Sequence, residues 1–208
     1  MARYTGPKNR LARREGVDLG LKTPGTKSHS NLLKRLALVP GQHGVSRRRT
    51  KMTDYAVQLR EKQKLKRIYG VSEKQMKNYF KKASKKVGNT AEYIIQYLEK
   101  RLDNVVYRLN FAPTRAAARQ LVGHGHIAVN KRKINIASYE VKVGETIGFM
   151  KEKTWNMPMV VSMVEKKELI VPSFISKNEK DGSLIADPQK AHMPDIVDTQ
   201  MVVEFYSR

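Results

Sequence analysis

The sequence contains no cysteine and no long run of apolar residues among its 208 positions. Without cysteine there are no disulfides and no thiolate metal clusters, which fits a reducing compartment. No segment approaches the roughly 20 apolar residues that a membrane-spanning helix requires. The first residues, MARYTGPKNRLARREG, also lack the apolar middle of a secretory signal. We therefore expect a soluble intracellular protein.

The sequence also offers little for catalysis or metal binding. It has no Gly-x-Ser-x-Gly elbow, no Walker-type phosphate loop and no pair of carboxylates flanked by histidine. His124 and His126 lie two positions apart, but two imidazoles without a neighbouring carboxylate do not complete a tetrahedral zinc site. We expect no enzyme activity, no metal and no cofactor.

Acidic residues are scarce, and their scarcity varies along the chain. The 41 Lys and Arg against 19 Asp and Glu give a net charge of +22. Residues 1–51 contribute +11 (13 basic, 2 acidic), 52–101 +8 (13 and 5), 102–150 +4 (7 and 3) and 151–208 −1 (8 and 9). Such an excess indicates a polyanionic partner such as nucleic acid. The neutral last quarter favours contact with another protein.

Residues 1–51 are predicted to form a basic extended N-terminal arm. Three pairs of Gly and Pro interrupt this segment, and only residues 30–38 have the apolar spacing of a short helix. A disordered basic tail is the alternative for the free protein. Bound RNA would favour order, because phosphate contacts and counterion release offset the loss of chain entropy.

Residues 52–100 are predicted to form a helical domain. Thr53 or Asp54 caps a first helix that ends near Tyr69, and SEKQ from Ser72 is a capping box for a second. A third helix is predicted to run from Asn89 to about Leu109. The second helix has an apolar face at helical spacing: Met76, Tyr79, Phe80, Ala83 and Val87.

Residues 101–150 are predicted to form a module of helices and a small sheet, and residues 151–208 a mixed C-terminal region that packs on the rest and contacts protein. The module has a helix from 113 to 123, a hairpin around Asn130-Lys131 with strands from 127 and 134, and a strand at 145–150. The C-terminal region has a helix at 158–166, strands at 173–176 and 183–186, and a terminal helix. The predicted fold class is therefore α+β.

The stretch TRAAARQLVGHGHIAVN, from Thr114, is the best candidate for a phosphate-binding element. Arg115 and Arg119 lie one helical turn apart and are predicted to share an exposed edge. Unpaired amides at the helix start could add to a phosphate site. The alternative is two solvated arginines on a surface helix, and the uneven charge of the chain favours the phosphate interpretation.

These residues, with others, resemble the uS-four family of small-subunit ribosomal proteins nearly end to end. The resemblance covers several long motifs in the same order: ARYTGPK from Ala2, RREGVDL from Arg13, PGQHG from Pro40, DYAVQLREKQKLKRIYGVSEKQ from Asp54, RLDNVVYRLNF from Arg101, TRAAARQLVGHGHIAVN from Thr114, NIASY from Asn135 and EFYSR at the C-terminus. The region from 101 to 149 is similar to the S-four RNA-binding module.

The resemblance implies a structural protein of the cytoplasmic small ribosomal subunit. It would bind a multi-helix junction in the 5′ domain of small-subunit rRNA early in assembly, line the channel by which mRNA enters, and affect accuracy through the fifth small-subunit protein. The third small-subunit protein would be another neighbour. For mRNA the implied residues are Arg47, Arg48, Arg49 and Lys51, and for the protein interface Val202, Phe205 and Tyr206. For rRNA the expected residues are Arg3, Lys8, Arg13, Arg14, Arg60, Lys62, Arg67, Arg115, Arg119, Gln120 and His124, together with Gln42 and His43 of the PGQHG loop and Lys131 and Arg132 of the hairpin.

Two features depart from the family pattern. Some bacterial members have a zinc cluster in the arm, and its cysteines would fall near Asn9, Ala12, Thr26 and Asn31 here, so we expect a metal-free arm. The usual Asn-Gly hairpin tip is replaced by Asn130-Lys131, which makes a type I′ turn less easy. An RNA-modifying enzyme that carries the same module is a competing class, but the 58 residues after position 150 leave little room for a catalytic domain. A regulatory RNA-binding protein is a third class.

Overall fold

The protein is described by a computed structural model that divides into two compact units. The helical unit comprises Met1–Ile94 and Pro194–Arg208, and the sheet unit comprises Ile95–Met193. No helix among the described residues is long and apolar enough to cross a membrane. The described residues are 4–44, 51–164, 171–178, 181–189 and 195–208.

The N-terminal segment contains two short helices, α1 (Lys8–Glu15) and α2 (Lys27–Lys34), where the sequence predicted an extended arm with at most one helix at 30–38. α2 begins earlier than predicted because the Thr26 hydroxyl accepts a hydrogen bond from the amide of His29. The His29 ring lies 2.7 Å from a carboxylate oxygen of Asp18. The segment therefore has its own internal contacts.

Three further helices follow: α3 (Asp54–Ile68), α4 (Glu73–Ser84) and α5 (Thr90–Glu99). Thr53 caps α3, and Ser72 and Gln75 form the predicted capping box of α4. The prediction that Val87 lies on the buried face was wrong. α4 ends at Ser84, and Val87 is 98% exposed.

The predicted helix from 89 to 109 was wrong in length, because the structure interrupts it at Lys100 and Arg101. α5 ends at Glu99, and α6 (Leu102–Arg108) begins after Arg101, whose backbone is extended. The interruption has a tertiary cause. The amide of Leu102 donates to the carbonyl of Tyr139, and the amide of Val141 donates to that of Lys100, so this backbone pairs with a distant segment.

The predicted terminal helix is confirmed as α10 (Thr199–Ser207), and it packs against α3 and α4 within the helical unit. Val202 is completely buried. The Phe205 ring lies 5.6 Å from that of Tyr55, and the Tyr206 ring stacks on Phe80 at 5.2 Å. These contacts turn the apolar face of α10 inward.

Glu73, at the start of α4, holds α10 through its carboxylate. Oε1 accepts hydrogen bonds from Lys62 at 2.9 Å and from the Tyr206 hydroxyl at 2.8 Å, and Oε2 accepts one from Lys66 at 3.0 Å. Partial burial by itself raises the pKa of Glu73, but the hydrogen bonds from Lys62, Lys66 and Tyr206 outweigh it and lower the pKa to about 2. The folded state therefore stabilises the ionised form.

We expect Glu73→Gln to remove an acid-sensitive part of the helical unit's stability. Because the folded pKa is lowered, the contribution is present above the unfolded pKa near 4.5 and is lost as pH falls towards 2. The carboxylate is 47% exposed, so solvent screening limits the difference at neutral pH to about 1 kcal/mol or less. Urea unfolding followed by far-ultraviolet circular dichroism between pH 7 and pH 2 measures it. A gap between wild type and variant that stays constant with pH would contradict this.

The sheet unit packs α6 and α7 (Arg115–Gly123) beside one antiparallel sheet. Its strands are β1 (Ile127–Val129), β2 (Arg132–Lys133), β3 (Thr146–Phe149), β4 (Ile175–Lys177) and β5 (Asp181–Leu184), in the order β2-β1-β3-β5-β4. The two late strands are shifted by about two residues from the prediction and join the same sheet. Two short helices follow β3: α8 (Glu152–Trp155) and α9 (Pro158–Val164). The predicted helix at 158–166 corresponds to α9, while positions 165 and 166 lie outside the described residues.

The core of the sheet unit lies between its helices and the inner face of the sheet. Phe111 is completely buried, and its ring lies 4.8 Å from that of Phe149. Trp155 of α8 packs edge-on against Phe149 at 4.9 Å. The same core includes Val105 and Val106 of α6 and Leu121 and Val122 of α7. This packing fixes the apolar face of α6 and α7 against the sheet.

The hairpin between β1 and β2 turns at Asn130-Lys131, as predicted. Asn130 has φ 49° and Lys131 has φ 65°, so both residues adopt the left-handed conformation that a type I′ turn requires. The second strand is Arg132–Lys133 rather than the predicted segment from Ile134, because Val129 pairs with Arg132 directly across the turn.

We expect Lys131→Gly to stabilise the sheet unit by roughly 0.5–1 kcal/mol. Glycine adopts positive φ without the steric cost of a Cβ atom, and part of this gain is offset by its greater chain entropy in the unfolded state. Urea unfolding followed by the fluorescence of Trp155, the only tryptophan, measures the change. Lys131→Ala is the matched control and should give no gain. Equal gains in both variants would assign the effect to charge instead of backbone conformation.

Candidate nucleic-acid interface

A network of buried polar side chains lies where α5 ends and α6 begins in the sheet unit. Glu99, Arg101, Asp103 and Asn104 are between 0% and 4% exposed. Buried charges are stable in proteins only when they are paired and hydrogen-bonded. We call these four residues the buried network, and their partners determine what they do.

One half of the network is centred on Asp103. Its carboxylate accepts hydrogen bonds from Arg101 Nε at 3.0 Å and Nη2 at 2.7 Å, so the two residues form a bidentate ion pair. Arg119 of α7 approaches the same carboxylate, with 3.8 Å between Nη1 and Oδ2. Asp103 thus links the start of α6 to the middle of α7.

The other half is centred on Glu99. Its carboxylate accepts hydrogen bonds from Arg108 Nε at 3.0 Å and Nη2 at 2.8 Å, and from the Asn104 amide nitrogen at 2.6 Å. The Asn104 amide oxygen accepts a hydrogen bond from Arg115 Nε at 2.7 Å. The Arg115 guanidinium also lies over the Tyr107 ring, 4.5 Å from its centre.

Three guanidiniums supported by this network lie at the surface of α6 and α7: Arg108, Arg115 and Arg119, which we call the arginine face. Their side chains are partly covered, and those of Arg108 and Arg119 are 17% and 14% exposed. The prediction that Arg115 and Arg119 form a freely exposed edge is corrected here. They are one turn apart, as expected, but partners on α6 hold both side chains against the module. Arg119 lies with Arg101 at Asp103, Arg108 lies at Glu99, and Arg115 lies at the Asn104 amide oxygen.

The end of α7 and the hairpin place further cations and donors in the sheet unit. Gln120, His124, Lys131 and Arg132 are all exposed, as the prediction of surface contacts requires. The His124 and His126 rings lie 6.2 Å apart. No group of three or more His, Asp or Glu that could hold a metal occurs in the parts of the chain that the structure describes.

Gly125 separates these two histidines and has φ 71°, a left-handed conformation that favours glycine. A Cβ atom at this position would collide with the side chain of Lys133, which lies across the backbone here. This close approach brings an exposed lysine to the histidine turn. The corner after α7 is therefore basic and compact.

In the helical unit, most of the cations predicted to bind rRNA also have partners within the protein. Arg67 pairs with Glu15 and donates to the carbonyl of Leu11, and Arg60 lies 3.4 Å from the same carboxylate. Burial raises the pKa of Glu15, although Arg67 and Arg60 lower it. These contacts bind α1 to α3. Arg13 donates to the carbonyl of Leu38 at 2.9 Å.

Lys62 is a correction to the predicted site. Lys62 is only 5% exposed. Its ammonium donates a hydrogen bond to Glu73 and lies 4.2 Å from the centre of the Phe205 ring. We therefore assign Lys62 a structural role in docking α10. Val202 is likewise corrected, because it lies in the core and is not available to another protein. Phe205 and Tyr206 are half-buried against α3 and α4.

The PGQHG loop folds back beside α1. Arg14 and residues 39–44 line an open pocket of about 420 Å³, and Gln42 and His43 are exposed. A Cβ atom at Gly44 would collide with the carbonyl oxygen of Val39, so the loop requires glycine there. This geometry brings Arg14 to Gln42 and His43 of the loop, a grouping that the sequence did not predict.

The remaining predicted residues are not grouped in this way. Lys8 lies half-buried in α1, and Lys51 is exposed just before α3. Arg3, Arg47, Arg48 and Arg49 lie outside the described residues.

The supporting residues of the site were not predicted from the sequence. Glu99, Asp103 and Asn104 belong to apolar helical segments, and only the presence of polar residues among apolar neighbours could have indicated them. Arg108 and Tyr107 are part of the motif RLDNVVYRLNF but were not singled out. Their roles depend on distances between α5, α6 and α7, which spacing along the chain does not contain.

Comparison with known proteins finds two family models that together match residues 3–147 of the 208 residues. One, described as the ribosomal protein S4/S9 N-terminal domain, matches residues 3–99, and the other, described as the S4 domain, matches residues 100–147. The chain is 47% identical over 212 residues to the small ribosomal subunit protein uS4 of Xanthomonas oryzae pv. oryzae (strain PXO99A), with 100% of both chains covered. It is 46% identical over 211 residues to that of Stenotrophomonas maltophilia (strain K279a), again with 100% of both chains covered.

Proposed function

Because the chain belongs to the uS4 family of small ribosomal subunit proteins, we propose that the arginine face of its S4 domain binds phosphates of small-subunit rRNA. The protein is a structural component of the ribosome in the cytoplasm and not an enzyme. Its partners are rRNA and neighbouring ribosomal proteins.

The observation that carries this proposal is the support of three surface guanidiniums by a buried network within the S4 domain. Guanidiniums bind phosphate oxygens with two parallel hydrogen bonds when their planes are held in place. Glu99 orients Arg108, Asp103 lies beside Arg119, and the Asn104 amide orients Arg115. The surplus of guanidiniums over carboxylates keeps the surface cationic. RNA helices are recognised mainly through phosphates, ribose hydroxyls and shape, and such a surface suits that recognition.

The exposed residues around α7 extend this surface in the sheet unit. Gln120 and His124 contribute donors at the end of α7, and Lys131 and Arg132 contribute charge at the hairpin. In the helical unit, Arg14, Gln42 and His43 form a separate rRNA contact at the PGQHG loop, supported by the pocket they line. The same unit contains four further cations that would contact RNA through their outer atoms: Lys8 and Arg13 of α1, and Arg60 and Arg67 of α3.

The rRNA target is a multi-helix junction of the 5′ domain, bound early in assembly. Lys51 and the three arginines at 47–49 line the channel by which mRNA enters the subunit, and the four cations in this stretch support that role. The third and fifth small-subunit proteins are neighbours, and contact with the fifth affects translational accuracy. The exposed parts of Phe205 and Tyr206 are the portion of α10 that could take part in this contact.

Crosslinking in cells followed by sequencing of the bound RNA tests the proposal directly. We expect crosslinks concentrated at one junction of the 5′ domain of small-subunit rRNA, with peptides from α7 and the PGQHG loop attached. Crosslinks spread over many tRNAs, or no crosslinked RNA, would contradict it. The same crosslinked RNA shows whether Lys51 is attached to mRNA. This tests the proposed contact with the mRNA entry channel separately from the rRNA contact.

A further inference from the structure

We propose that Asn104 and Glu99 are positioning residues that hold the guanidiniums of Arg115 and Arg108 in the geometry that rRNA recognises. The inference rests on the proposed function, since it concerns how the arginine face is prepared for phosphate. It adds two buried residues, neither of which reaches the surface, to the machinery of binding.

Asn104 is suited to this role by the two-ended chemistry of its amide. The amide nitrogen can only donate, and it faces an oxygen of Glu99 at 2.6 Å and the backbone carbonyl of Glu99 at 3.1 Å. The amide oxygen can only accept, and it faces Arg115 Nε at 2.7 Å. A carboxylate at this position would repel Glu99, and an apolar side chain would bond to neither neighbour.

Glu99 connects the two guanidiniums through a single carboxylate. It binds Arg108 directly by two hydrogen bonds and Arg115 indirectly through Asn104. Because Glu99 is completely buried, water does not compete for these bonds, and their geometry is well defined. The chain of contacts Arg108–Glu99–Asn104–Arg115 therefore sets the spacing of two cations on α6 and α7.

Restraint of the arginines before binding is the physical benefit. A long arginine side chain loses conformational entropy when it is immobilised on RNA, and this loss is smaller when the protein has already ordered it. Stacking of Arg115 on Tyr107 restrains the same guanidinium plane. The positive charge alone does not supply this effect, so charge and position can be separated by experiment.

The effects of charge and of side-chain position are separated by a double-mutant cycle, in which the affinity of the full-length protein for a 5′-domain rRNA fragment is measured. We expect Arg115→Gln to weaken affinity about tenfold and to reduce the slope of log K against log salt by about 0.7–0.9, because one phosphate contact is lost. Asn104→Leu should weaken affinity about fivefold with an unchanged slope, since the charge of Arg115 remains. The double variant should be no more than about twofold weaker than Arg115→Gln alone.

Two further variants complete the test. Asn135→Leu makes the same substitution at an exposed position of the sheet unit and should bind like wild type. Arg115→Lys changes none of the four residues of the buried network, so it provides a second test of the inference if Asn104→Leu does not fold. It keeps the charge but removes the Nε donor that Asn104 accepts. We expect it to lose most of the affinity that Arg115→Gln loses while the salt slope is retained.

The inference is overturned if the losses of Asn104→Leu and Arg115→Gln multiply in the double variant, or if Arg115→Lys binds like wild type. The first result would give Asn104 a structural role only, and the second would make Arg115 a simple point charge. A wild-type protein that does not bind the 5′-domain fragment would instead contradict the proposed function.

Discussion

Replacing Asp103 by alanine is expected to lower the free energy of unfolding of the sheet unit by about 3–5 kcal/mol. Asp103 is 4% exposed and Arg101 is 1% exposed, so their bidentate ion pair is shielded from water. Loss of the carboxylate removes the bidentate hydrogen bonds and the negative charge by which Asp103 offsets the desolvation of the Arg101 guanidinium. Breaking one side of a buried pair is therefore far more harmful than loss of a surface pair.

The fluorescence of Trp155 reports this change specifically. It is the only tryptophan, and its ring packs against Phe149 and Phe111 in the core of the sheet unit. Urea unfolding of the full-length protein, followed at the tryptophan wavelength, therefore measures the stability of this unit.

Asp187→Ala is the matched control, because it removes the same kind of side chain from an ion pair in the same unit. Asp187 pairs with Lys100 but is 51% exposed, so we expect a loss below about 1 kcal/mol. Equal losses in the two variants would show that burial does not strengthen the Asp103 pair.

Raising the salt concentration is expected to weaken rRNA binding by at least about 250-fold between 50 and 200 mM. Each neutralised phosphate contributes roughly −0.7 to −0.9 to the slope of log K against log salt, and we expect a slope steeper than about −4. The net charge of +22 and the supported arginine face are the reason for this expectation. Fluorescence anisotropy with a labelled 5′-domain fragment, repeated over a salt series, gives the slope.

Variants at the hairpin show which cations contribute to the salt dependence of rRNA binding. Lys131→Gln and Arg132→Gln should each make the slope less steep by about 0.7–0.9, because each removes a proposed phosphate contact. Lys142→Gln removes an exposed cation outside the proposed surface and should leave the slope unchanged. A flat salt response of the wild type would show that phosphate contacts do not dominate, whatever the variants do.

Local signals predicted most of the elements correctly. Thr53, one of two capping candidates, and Ser72 mark helix starts through hydroxyls that accept nearby amides, and the structure confirms both caps. Thr114, at the predicted start of α7, caps its helix in the same way. These bonds involve residues three positions apart, so they can be recognised from the sequence. The Asn130-Lys131 turn is also local, and the structure confirms its position.

Predictions failed where a distant segment changed the local preference. The apolar spacing through residues 89–109 favours one helix, but pairing of Lys100 and Leu102 with Val141 and Tyr139 divides it. In the sequence, Lys62 is one of many cations. In the structure it is buried, because its ammonium bonds to Glu73 and packs over the Phe205 ring. Such contacts join positions far apart in the chain, and local periodicity contains no information about them.

By itself, the amino-acid sequence determined the α+β class, the uneven positive charge and the family motifs, because composition and short-range spacing are enough for each. Only the tertiary structure decided how the cations are used. It placed Glu99, Asp103 and Asn104 beneath the arginines of α6 and α7, and it placed Lys62 under α10. The physical reason is that the effect of a charge depends on its burial and on the partners within about 4 Å, and folding alone brings those partners together.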